Sequence, residues 1–171
     1  MVTKARALGK DFDIGSAVAV KDLDGGAQTG KNIYMGDCEG VTFVVFKGIG
    51  TTDDLALDLQ EIEAVAGTPR DLEIITEYFT KSATTVLVGT EVWVKTTQSA
   101  ASEITAIADS AEKEMILAFD VRADQLSDGY EYLTVNTPDL GSAAAQWGGV
   151  LAIKWGLKVQ RAPENLPAFT R

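Results

Sequence analysis

Residues 41–47 read Val-Thr-Phe-Val-Val-Phe-Lys. In an extended strand successive side chains point to opposite faces. Val41, Phe43 and Val45 therefore share one side, and Thr42, Val44 and Phe46 the other. The pattern returns where Leu55, Leu57 and Leu59 alternate with Ala56, Asp58 and Gln60. Residues 115–121, Met-Ile-Leu-Ala-Phe-Asp-Val, form a nearly continuous apolar run, as expected of a strand covered on both faces.

Further strands are predicted over 16–20, 31–35, 54–59, 72–79, 91–97, 130–136 and 150–159, with aromatic Tyr78, Phe79, Trp93 and Trp155 as good β residues. Gly25-Gly26, Gly36 to Gly40, Gly48-Ile49-Gly50 and Asp128-Gly129 read as turns. Helical turns are predicted over 61–66 and 110–114. Eight or nine short strands and so little helix predict an all-β, mainly antiparallel sandwich or jelly roll. The spacing leaves no room for the crossover helices of a parallel doubly wound sheet. Residues 1–13 read as an N-terminal arm, 14–160 as the β domain, and 161–171 as an extended tail, because Pro163 and Pro167 bias their predecessors toward extended geometry.

A chain of 171 residues suits one domain that buries about 70% of its unfolded surface. No apolar run approaches the roughly 20 residues of a spanning helix. The first residues lack the apolar stretch of a secretory signal, so synthesis in the cytoplasm is expected. Fifteen basic residues against 25 acidic ones give a formal charge of −10, which disfavours nucleic acid and anionic membranes as partners. The first ten residues run against this trend, with Lys4, Arg6 and Lys10 and no acid. A cationic arm beside an acidic body points to contact with acidic protein surfaces, copies of the same chain included.

The chemistry-bearing residues are few. With no histidine, Ser-His and Cys-His nucleophile arrangements are excluded. Gly25-Gly26-Ala27-Gln28-Thr29-Gly30-Lys31-Asn32 has the spacing of a phosphate-binding loop, but Asn32 stands where a hydroxyl should meet magnesium. The glycines that follow also interrupt the helix such a loop must open. A hairpin loop is expected there instead. Asp22-Leu23-Asp24-Gly25 begins like a calcium loop, yet its twelfth position is Ile33 rather than glutamate. Asp53-Asp54, Asp120, Asp124 and Asp128 supply carboxylates that read as turn and surface residues. Cys38 lies between Asp37 and Glu39, which disfavours its thiolate. Trp147, beside Gln146 and Gly148-Gly149, reads as the exposed aromatic, and Trp93 and Trp155 as packing residues. No catalytic residue, cofactor or metal is expected.

The order of features resembles small virion proteins of tailed bacteriophages, encoded near the capsid gene. It is carried by Val-Thr-Phe-Val-Val-Phe-Lys-Gly, Leu-Ala-Leu-Asp-Leu-Gln-Glu, Ala-Val-Ala-Gly-Thr, Trp93-Val94-Lys95, residues 115–121, and Asp128-Gly129-Tyr130-Glu131-Tyr132-Leu133-Thr134-Val135-Asn136, over roughly residues 31–160. The resemblance implies a non-enzymatic virion structural protein, foremost a capsid decoration subunit on the exterior of the shell. Its partners would be the major capsid protein and copies of itself. Lys4, Arg6, Lys10, Trp147, Arg161, Leu166, Phe169 and Arg171 are the expected contact residues. The alternatives are a phage tail component, tube or tail-tip subunit, and more remotely a carbohydrate-binding module.

Overall fold

A computed structural model describes residues 8–170, apart from 51, 106, 108, 109 and 142–144. The strands are β1 (Phe12–Asp22), β2 (Ile33–Tyr34), β3 (Gly40–Lys47), β4 (Leu57–Ile62), β5 (Arg70–Asp71), β6 (Ile75–Ala83), β7 (Val94–Ala101), β8 (Glu103–Ile104), β9 (Glu114–Arg122), β10 (Tyr132–Asn136) and β11 (Trp147–Trp155). Two single 3-10 turns, Ala123–Gln125 and Pro163–Asn165, are the helical structure among the described residues. The strands form two antiparallel sheets. The larger has the order β1-β11-β3-β9-β6-β7; the smaller has β2-β10-β4-β5, with β8 also paired to β4. The molecule is an all-β sandwich.

The alternation in β3 decides its orientation. Val41, Phe43 and Val45 are buried, Thr42 and Val44 half-buried, and Phe46 exposed. β9 lies beside it with Phe43 paired to Phe119 and Val45 to Leu117, so both strands send their apolar rows inward together. The Phe43 and Phe119 rings stack with centroids 5.2 Å apart. Leu57 and Leu59 of β4 and Leu133 and Val135 of β10 supply the opposing wall, all buried in the same core.

Several local readings are revised. β4 runs to Ile62 rather than ending at residue 59, so Glu61 and Ile62 are strand where a helical turn was predicted. Residues 110–114 contain a turn and the start of β9, with no helix. β9 is covered on one face alone, since Ile116 and Ala118 are half-buried and Asp120 is exposed. The glycine-rich segment after β1 is a crossover between the two sheets and not a hairpin. Gln28 and Thr137 exchange backbone hydrogen bonds of 2.8 and 3.0 Å, pinning that crossover to the end of β10. At Asp128-Gly129 the expected turn is present: Gly129 has φ 86°, and the Tyr130 N–H donates to the Ser127 carbonyl.

The described residues near both ends are bonded to the body of the fold. β1 begins at Phe12, and the Arg161 N–H donates to the Gly9 carbonyl at 2.8 Å. Thr170 bridges to Ile33 of β2. The Phe169 ring lies against Gly15, where a Cβ would collide with it, and packs on the core. Residues 163–170 thus close one flank of the sandwich.

Lys47 occupies the inward position after Val45 and is fully buried. Its ammonium donates to the carbonyls of Gly48, Ala111 and Lys113 at 3.0, 3.3 and 2.9 Å. Burial pushes its pKa down to about 8, with Asp54 opposing that shift. Below pH 8 the charge is carried in both folded and unfolded states, and burial penalises the folded one. Between about 8 and the ordinary 10.5 the folded protein has released a proton that the unfolded chain still holds, so rising pH favours folding. Urea unfolding of wild type and Lys47→Met should show the difference moving toward wild type across that window by on the order of 2 kcal/mol.

Candidate functional surfaces

The connection between β6 and β7 (residues 84–93) carries a cluster of exposed apolar side chains. Val86, Val88, Val92 and Trp93 are exposed, as is Val94 at the start of β7. This is a built loop. The Glu91 carboxylate accepts the Val88 and Gly89 N–H groups, both at 2.9 Å, and those backbone bonds hold its pKa below the usual glutamate range. The Leu87 N–H donates to Glu114 at 2.5 Å, tying the loop to β9. Lys81 lies 5.0 Å from the Trp93 ring centroid, a cation–π contact that holds the indole against the sheet. Trp93, expected as a packing residue, therefore packs on one side and faces solvent on the other.

The expected contact residues fall into distinct places. Lys10 and Arg161 are both exposed and line one shallow recess with Leu8, Gln160, Ala162 and Pro163. Trp147 is exposed, as expected, at the start of β11. Leu166 and Phe169 turn toward the chain's own body: Leu166 lines a small pocket with Asp13, Asp37 and Lys154. Phe169 lies 4.9 Å beneath the Lys154 ammonium. Neither is an outward-reaching tail residue, because the gap beside β1 and β2 needs an apolar cover. Lys4, Arg6 and Arg171 lie outside the described residues.

Four of the carboxylates weighed for chemistry are engaged in local structure. Asp22 accepts from the backbone N–H groups of Asp24 and Gln146. Asp54 accepts from the Ser110 hydroxyl and the Ala111 N–H, both at 3.0 Å. Asp120 accepts from Thr42, and Asp124 pairs with Arg122. No group of three or more metal-ligating side chains occurs among the described residues. Cys38 is buried, and burial above all pushes its thiol up to about 11. No described helix is long and apolar enough to cross a membrane. The chain matches no protein-family model and no curated protein.

Sequence reading takes 91–97 as a strand and the Ser/Thr-rich residues before it as a plain connection, whereas β7 begins at Val94 and residues 91–93 belong to the exposed loop. The alternation Val86, Val88 and then Val92, Val94 around Gly89-Thr90 was the available signal. Sequence reading also missed Glu61, whose side chain is fully buried at the inward end of β4. Burial pushes this carboxyl up, but the Ser127 N–H at 2.8 Å and the Arg70 guanidinium outweigh it and hold the pKa below the ordinary 4.5. Arg70 in turn stacks 4.3 Å over the Tyr130 ring. This group braces the loop after β9. Its stabilisation is present above the ordinary glutamate range and lost as pH falls through the depressed folded value. Glu61→Gln should cost about 2 kcal/mol at pH 7 in urea unfolding, and much less at pH 3.

Proposed function

We propose that this chain is a structural protein of a tailed-phage virion, a decoration subunit that binds the major capsid protein on the outside of the shell. The observation that carries the reading is the braced 84–94 loop, which holds five apolar side chains in solvent on a rigid sandwich. Exposed apolar clusters of this kind mark surfaces that meet another protein. A loop fixed in advance loses little ordering entropy on docking. Repeated over a symmetric lattice, modest contacts at each site add up to lasting attachment through avidity. The recess that joins Lys10 and Arg161 gives a chain of formal charge −10 a basic contact, suited to acidic patches on a neighbouring protein.

Shells prepared without this protein provide the test. Wild type added back should sediment with them and give added density in cryo-EM. The double variant Val88→Asp, Val92→Asp should lower occupancy at least tenfold, while its circular dichroism and melting stay those of wild type. Full occupancy by the variant, or no shell binding by wild type, would overturn the reading.

A further inference from the structure

The outer face of the larger sheet is apolar across four strands. In register, Ser16 of β1, Leu151 of β11, Val44 of β3, Ala118 of β9 and Phe79 of β6 form one row. Gly149, Phe46, Ile116 and Lys81 form the next, and Val20 lies over Gly149. Ile14, Ile153, Thr42 and Asp120 make a third, at the margin of the face. Ile14 is 45% exposed, Val20 76%, Phe46 50%, Trp147 60% and Leu151 47%. Val44, Ile116, Ala118, Phe79 and Ile153 between them are half-buried.

We infer that this face is the contact surface between two copies of the chain, packed sheet against sheet about a twofold axis near Val44 and Leu151. Area is the first argument. Each of the five exposed side chains leaves roughly 100 Å² in water and each half-buried neighbour a few tens, on the order of 700 Å² together. That exceeds the largest apolar patch of a typical monomer and approaches the roughly 800 Å² that each partner of a stable complex contributes.

Shape and charge favour a second copy as the occupant. An isologous interface requires a patch that complements itself, and a regular sheet face meets that condition because aligned sheets pack face to face. The middle rows hold no ionisable group inward of Lys81, so the formal charge of −10 is not brought into the contact. Charges of both signs lie at the margin: Lys81, the Lys95–Glu77 ion pair at 2.5 Å, and Asp120 bonded to Thr42. An apolar centre with a mixed polar rim is the anatomy of a protein interface. The inference stands apart from shell binding, which uses the 84–94 loop.

Sedimentation equilibrium of the full chain should give a dimer at micromolar concentration. Leu151→Glu and Phe46→Glu should each raise the dimer dissociation constant at least a hundredfold with unchanged circular dichroism. Leu151→Cys should cross-link to covalent dimers under mild oxidation, since buried Cys38 does not compete. A wild type that is monomeric at 100 µM, a dimer that survives both glutamate variants, or protection of this face by shells instead of by a second copy would overturn the proposal.

Discussion

The apolar rows Val41-Phe43-Val45 and Met115-Leu117-Phe119-Val121 on the larger sheet meet Leu57-Leu59 and Leu133-Val135 on the smaller, and everything else is arranged around that contact. Each such side chain taken fully from water contributes roughly 1.5–3 kcal/mol, so the rows dominate the stability of the fold. They also fix the register. Sliding β3 or β9 by one residue would bring Thr42 or Asp120 into the core. The three largest departures from an apolar core are Lys47, Glu61 and Lys154. Each is the next inward position beyond an apolar row, where the sandwich ends. Period two sends them inward whether or not the site is apolar, so each meets compensating partners: three carbonyls for Lys47, Arg70 and Ser127 for Glu61, Asp37 at 3.0 Å for Lys154.

The two outer faces differ in kind. On the smaller sheet Gln60 bonds to Asp71 and to Asn136 at 2.9 Å, a polar network suited to water. On the larger sheet the equivalent positions are Val44, Phe46, Leu151 and Ile153. A chain with ample charge to spend on its surface has confined it to the margin of this face. The 84–94 loop continues the apolar character past the sheet through Trp93. Apolar surface on one side and hydrated surface on the other give the molecule a direction.

The termini gain definition from each other. Gly9 and Arg161 are bonded through their backbones, and Phe169 fills the flank between β1 and β2 beneath Lys154. The tail therefore belongs to the folded unit, and the basic residues Lys10 and Arg161 occupy one recess although 150 positions separate them. Proximity of this kind comes from the antiparallel pairing of Phe12 with Trp155 and from the Gly9–Arg161 bond, not from any local signal.

Sequence alone determined the all-β class, the alternation that sets Val41, Phe43 and Val45 apart from Thr42, Val44 and Phe46, the turn at Gly129, the exposure of Trp147 and the failure of the glycine-rich segment to open a helix. These follow from side-chain alternation and from backbone chemistry, both readable within a few residues. The extent of β4, the single-sided cover of β9, the burial of Lys47 and Glu61 and the seat of Phe169 were decided by tertiary structure. Each depends on which strand lies alongside and whether a second layer covers it, a matter of long-range pairing that no local window contains. The apolar outer face emerged for the same reason: Val44 and Leu151 become one surface only when β3 and β11 are joined edge to edge.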